Sequence, residues 1–61
     1  MKEFEMFVFA SYITDGESEE WNCFHHYVEA PDAKAAEVLA REELASEGYN
    51  HIEISDVIAT D

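Results

Sequence analysis

Between Glu3 and Ile13 apolar side chains occupy both alternating sets of positions: Phe4, Met6, Val8, Ala10 and Tyr12 on one, Phe7, Phe9 and Ile13 on the other. The stretch contains no glycine or proline and is rich in aromatic and branched residues, which predicts a long strand. Apolar groups on both faces mark it as a central strand, with one face fully covered and the other at least partly so. Thr14-Asp15-Gly16-Glu17 follows with an Asp-Gly turn signal, and a second strand is expected from about Trp21 to Glu29, forming an antiparallel hairpin with the first. A two- or four-residue loop pairs even positions of the first strand with odd positions of the second. One face would then hold Phe4, Met6, Val8, Ala10 and Tyr12 with Trp21, Cys23, His25 and Tyr27. The other would hold Phe7 and Phe9 with Phe24 and Val28, edged by Glu3, Glu5, Asn22 and His26. A loop of odd length exchanges the second strand's faces.

Ala30-Pro31-Asp32 ends the strand and offers Asp32 as a helix N-cap, since its carboxylate can accept a free amide at the positive end of a helix. A helix is predicted from Ala33 to about Glu47, with Gly48 in the left-handed position after it. Its Ala-rich sequence has high helix propensity. At 100° per residue Ala33, Ala36, Leu39, Ala40 and Leu44 fall on one side and Lys34, Glu37, Arg41 and Glu42 on the other. Glu37 and Arg41 form an i,i+4 pair worth about 0.2–0.5 kcal/mol. The last element, His51 to about Ala59, alternates through Ile52 and Ile54 and then shifts to Val57, which predicts a strand with a bulge near Ser55-Asp56. A strand-helix-strand crossover makes its two strands parallel, so the third strand runs antiparallel to the first and pairs with it. The expected fold is a single α+β domain over residues 1–61, ββαβ, with a three-stranded sheet in the order 2-1-3 and one helix on one face.

One helix covers one face of such a sheet, yet both faces carry apolar groups. If the helix covers Phe4, Met6 and Val8, the exposed set in the even-loop registers is Phe7, Phe9 and Phe24. In the reverse case it is Trp21, Cys23, His25 and Tyr27, joined by Tyr12. Contiguous exposed aromatics mark interaction sites, and tryptophan and tyrosine are common interface anchors.

Charge then says what such a face can meet. Fifteen acidic residues against three basic ones leave a net charge of -12 on 61 residues. That excess repels nucleic acid and anionic membrane and attracts a basic protein groove. An apolar fraction of 48% separates the chain from disordered acidic tails. A domain this small buries only about 60% of its unfolded surface, so its stability is marginal. The single cysteine, Cys23, excludes an internal disulfide and suits a reducing interior, so a cytoplasmic location is expected. No stretch reaches the ~18 apolar residues of a membrane span. The start, Met1-Lys2-Glu3-Phe4-Glu5, lacks the pattern of a signal peptide.

Acidic residues stand in every element: Glu3 and Glu5, the run Asp15, Glu17, Glu19 and Glu20, the helical Glu37, Glu42, Glu43 and Glu47, then Glu53, Asp56 and Asp61. In size, charge and want of a catalytic signature the chain resembles the small acidic inhibitors of phages and mobile elements: DNA mimics, anti-restriction and anti-CRISPR proteins, and glycosylase inhibitors. The resemblance is one of composition, rests on no motif and assigns no residue a role.

Other chemistry is weakly signalled. Cys23 and His25 share a strand face, and His26 or His51 would have to join them to bind a transition metal, but the spacings of structural zinc sites are missing. A Cys and a His two apart on a strand, without a third orienting group, do not form a catalytic constellation, and a chain this short has little room for a concave pocket. The Asp15-Gly16-Glu17-Ser18-Glu19 loop lacks the calcium-binding spacing of an EF-hand. No enzyme activity, metal or cofactor is expected. In the even-loop registers Glu5 neighbours His26 across the hairpin, and a nearby carboxylate favours the protonated ring.

The function expected from these features is a small acidic protein-binding module that inhibits a basic nucleic-acid-binding protein or enzyme by DNA mimicry. Glu17, Glu19 and Glu20 in the loop and Glu42, Glu43 and Glu47 on the helix would supply phosphate-like charge, and Trp21 and Tyr27 the buried anchor. The alternative is a homodimeric structural or accessory protein whose acidic surface is solubilising, as in salt-loving organisms.

Overall fold

The computed structural model describes every residue except Asp15, Glu17 and Asp61. It contains β1 (Lys2–Thr14), β2 (Ser18–Ala30), α1 (Ala33–Ser46) and β3 (His51–Ala59). The three strands form one antiparallel sheet in the order β2-β1-β3, so the most apolar strand is central, as its two-faced pattern requires. Among the described residues no helix is long and apolar enough to cross a membrane.

The hairpin register differs from the even-loop expectation. The ladder closes on Thr14 opposite Ser18, which leaves three residues between the strands, and Phe4, Met6, Val8 and Ala10 stand opposite Val28, His26, Phe24 and Asn22. Even positions of β1 therefore pair with even positions of β2. Gly16 at the loop centre has φ 74°, a left-handed value that glycine reaches without the penalty of a side chain. β2 also begins earlier than predicted, so Glu19 and Glu20 are strand residues.

The core lies between the even face of the hairpin and α1. Phe4, Met6, Val8, Ala10, Val28 and Ala30 from the sheet meet Ala36, Ala40 and Leu44 from the helix, and all nine are buried. The two alanines let the helix approach the sheet closely, and Leu44 is its only large fully buried side chain. The buried stripe is a single i,i+4 line, narrower than predicted: Ala33 and Leu39 are exposed. Two polar contacts tie the flanks of α1 to the sheet. His26 Nε2 donates to Glu43 Oε1 at 3.0 Å on the β2 side, and Arg41 Nη1 donates to the Ile52 carbonyl at 2.8 Å on the β3 side.

Local signals fix the helix ends. Asp32 Oδ1 accepts the Ala35 amide at 2.8 Å. At the far end Glu47 is the C-cap, Gly48 takes φ 105°, the Gly48 amide donates to Ala45 and the Tyr49 amide to Leu44. This paired pattern is a Schellman turn, and it aims Tyr49 back at the core beside Leu44. There Tyr49 meets Tyr12 edge-on at 5.9 Å and Phe24 at 5.8 Å, closing the hairpin end. The predicted bulge is present: the β1–β3 register shifts between Glu5 and Phe7, and Asp56 opposite them has φ 54°.

The result is two layers with one sheet face open. The Cα radius of gyration is 12.2 Å, against about 10.5 Å for a compact domain of this length, and the longest dimension is 40 Å.

Candidate interaction face

Strand alternation places the odd residues of β1 and β2 on the open face, and the β1–β3 register adds His51, Glu53, Ser55 and Ile58. Three rows cross its middle, from β3 to β2: His51–Ser11–Trp21, Glu53–Phe9–Cys23 and Ser55–Phe7–His25. Beyond the bulge a fourth row reads Ile58–Glu5–Tyr27.

An aromatic contact joins the first two of these rows and a polar contact the last two, and together the four rows form a band. Trp21 stacks on Phe9 at 4.6 Å and 21°, and meets His51 edge-on at 5.3 Å. Ser11 lies between Trp21 and His51 in its row and is fully buried beneath them, with its hydroxyl donating to Glu19 at 2.9 Å. The seryl hydroxyl thus has a partner under an apolar cover, which avoids the penalty of an unpaired buried polar group. Further along, Phe7 packs on His25 at 4.6 Å. Glu5 accepts hydrogen bonds from His25 Nδ1 at 2.5 Å and from the Tyr27 hydroxyl at 3.1 Å. These contacts hold the Glu5 carboxyl below the ordinary glutamate value, chiefly through His25, and the Glu5 carboxylate pushes the Tyr27 phenol above its ordinary value. Phe7, Phe9, Trp21 and Tyr27 nevertheless remain between 40% and 53% exposed, and exposed aromatics gathered on one face mark an interaction surface.

The charge around the band has one sign. Glu3, Glu5, Glu19, Glu29 and Glu53 occupy the open face, and no lysine or arginine does: Lys2 points to the helix side, and Lys34 and Arg41 belong to α1. Beside the bulge, Glu5, Phe7, His25, Asp56 and Ile58 border an open hollow of about 160 Å³. It combines apolar walls with two carboxylates, the lining that suits the stem and head of a cationic side chain.

The structure divides the residues expected to bind a partner. Glu19, Trp21 and Tyr27 share the open face. Glu42, Glu43 and Glu47 are exposed on the helix layer, behind the sheet, and Glu43 is engaged with His26. Glu20 lies on the helix side opposite Tyr12, near an open cleft of about 460 Å³ that Tyr12, Asn22 and Glu47 help to line. Glu17 lies outside the described residues. Glu5 meets His25 and not His26, because the three-residue connection exchanged the faces of β2. The same exchange unites Phe7 and Phe9 with Trp21, Cys23, His25 and Tyr27, groups that the even-loop registers kept apart, while Phe24 turns to the core. Glu5 was placed beside Phe7 and Phe9 by strand parity, whereas Ser11, His51 and Glu53 were not singled out as parts of this face and join it through β1 parity and the β1–β3 register.

Cys23 and His25 share the open face as their spacing requires, while His26 is on the other side and His51 lies beside Glu53 on β3. Among the described residues no three His, Cys, Asp or Glu side chains converge in a way that would hold a metal ion. Comparison of the chain with protein-family models, curated proteins and solved structures gives no match.

Proposed function

We propose that this protein is an acidic binding module that takes a basic, nucleic-acid-binding surface onto its open sheet face and inhibits it by occupying the place of DNA. The observation that carries the reading is the face itself: five glutamates and no lysine or arginine around an exposed aromatic band. Carboxylates steer a cationic partner to the face and meet its phosphate-binding side chains. Phe9, Trp21 and Tyr27 then supply the apolar contact that such a groove does not obtain from phosphate, and the hollow beside the bulge receives one arginine or lysine. The linear charge density agrees with mimicry: a net -12 over a body 40 Å long is one charge per about 3.3 Å, against about 3.4 Å for one strand of DNA. The same five glutamates disfavour a second copy on this face, since two such faces would gather like charges at one interface.

The test is capture of bacterial proteins on the immobilised chain, with elution by excess duplex DNA, followed by a DNA-binding assay of each eluted protein with and without the free chain. The reading requires a basic protein that DNA displaces, whose DNA binding the chain blocks, and whose capture fails with Phe9→Ala or Trp21→Ala. Capture no better than that by a charge-matched acidic control sinks it.

A further inference from the structure

The two outer strands of the sheet present different edges. β3 is nine residues long, its line is broken at Asp56, and its Ile52 carbonyl is filled by Arg41. Bulges and covering side chains of this kind keep an edge from pairing with another chain. β2 runs 13 residues without a proline or a bulge. Among the described residues the side-chain bond to its backbone is that of Thr14 to the Ser18 carbonyl, at the hairpin end.

The pairing pattern shows which groups of β2 face outward. The Asn50 and Thr60 amides donate to the carbonyls of Ser11 and Glu3, at 2.8 and 3.0 Å, so odd residues of β1 bond toward β3 and even residues toward β2. Even residues of β2 therefore bond inward, and Trp21, Cys23, His25 and Tyr27 turn their amides and carbonyls to the free edge.

Charge selects the occupant. In a chain of net charge -12, Trp21 to Val28 is an eight-residue stretch with no Asp, Glu, Lys or Arg. Two copies meeting face to face would oppose five glutamates with five. Two copies meeting at the middle of β2 oppose uncharged residues. With Cys23 opposite its own copy, Glu19 falls opposite Tyr27 and Glu20 opposite His26, so no two acidic residues of β2 stand opposite each other. A register centred on Phe24 would instead set Glu19 against Glu29.

We propose that β2 is a self-pairing edge, through which two copies join antiparallel into one six-stranded sheet with both open faces on the same side. The pairing keeps the aromatic bands accessible and places them side by side, and it does not depend on what binds them.

Sedimentation equilibrium of the full chain under reducing conditions tests this. The mass should rise from 7.0 kDa toward twice that value with concentration, and more readily at high salt, which screens the like charge of the copies. Cys23→Pro removes an outward amide and leaves the β1 ladder intact, so it should weaken the dimer about tenfold or more while the far-ultraviolet spectrum is unchanged. Cys23→Asp leaves every amide in place but puts a carboxylate in the neutral stretch, and it should also give a monomer. Cys23→Ser should remain a dimer. A wild-type chain that stays monomeric at all concentrations, or a dimer that survives both Cys23→Pro and Cys23→Asp, overturns the proposal.

Discussion

Both faces of the sheet carry aromatic side chains and differ in what their neighbours do with them. On the helix side Phe4, Met6 and Val8 are buried under Ala36, Ala40 and Leu44. On the open side Phe9 stacks on Trp21 and Phe7 packs on His25, yet Phe7, Phe9, Trp21 and Tyr27 keep two fifths or more of their surface in water. Apolar surface stabilises a fold only where something covers it. The covered face therefore holds the domain together, and the open face holds apolar area and charge in reserve for a partner.

That division is sharpest for a core truncation. Leu44→Ala should cost about 2–5 kcal/mol, because it leaves a cavity under the helix that the neighbouring alanines cannot fill. A 61-residue domain has about 3–9 kcal/mol in all, so urea denaturation of this variant should show a midpoint far below wild type or no folded baseline. Equal stability of Leu44→Ala and wild type would break the distinction between the faces. Phe9→Ala, on the open face, should lower stability by only about 0.5–1.5 kcal/mol, the worth of an aromatic pair. Its effect on partner affinity should be larger, about 2 kcal/mol or a thirtyfold rise in Kd by isothermal titration calorimetry. A next, smaller effect belongs to the turn that seats Tyr49. Gly48→Ala meets no atom within 4 Å, yet φ 105° strains any L side chain, so a loss of about 1 kcal/mol in denaturation is expected.

The smallest effect concerns the Glu5–His25–Tyr27 group. The Glu5 carboxyl is held below its ordinary value, so its contribution is present above the unfolded-state value and is lost as pH falls through the folded-state value. Tyr27 is raised, so its contribution is present below the ordinary tyrosine value and disappears as pH rises through the folded one. Tyr27→Phe should therefore remove the alkaline dependence and move the Glu5 carboxyl upward only in part, because the His25 contact remains. Carbon-detected NMR titration of Glu5 reads the shift directly, and an unmoved Glu5 in both Tyr27→Phe and His25→Ala would dissolve the group.

The fold was legible because each element carries its own signal: the two-faced pattern of β1, the Pro31-Asp32 start and Gly48 stop of α1, and the slipped alternation that marks the bulge in β3. The apolar content of β1 and the handedness of the β2–α1–β3 crossover each put β1 at the centre. The open face was only half legible. Which β2 side chains join Phe7 and Phe9 depends on the parity of one loop, and Asp15-Gly16-Glu17 reads equally well within loops of two, three or four residues. A single residue of loop length decided whether Trp21 and Tyr27 stood with the core or with the exposed phenylalanines. The helix carboxylates Glu42, Glu43 and Glu47 were grouped with them on charge alone, which carries no direction. Their place on the opposite layer follows from which helix stripe is buried, and that stripe, Ala36–Ala40–Leu44, is narrower than hydrophobicity alone suggests.

Trp21 is the chain's one tryptophan, and it stands on the open face between Phe9 and His51. Its fluorescence during titration with a DNA-displaceable basic partner reports whether that partner docks on the open face. A blue shift of the emission and protection from a soluble quencher are expected, saturating at the same stoichiometry as binding. Saturable binding that leaves Trp21 emission and quenching unchanged would contradict it and place the partner on the helix layer.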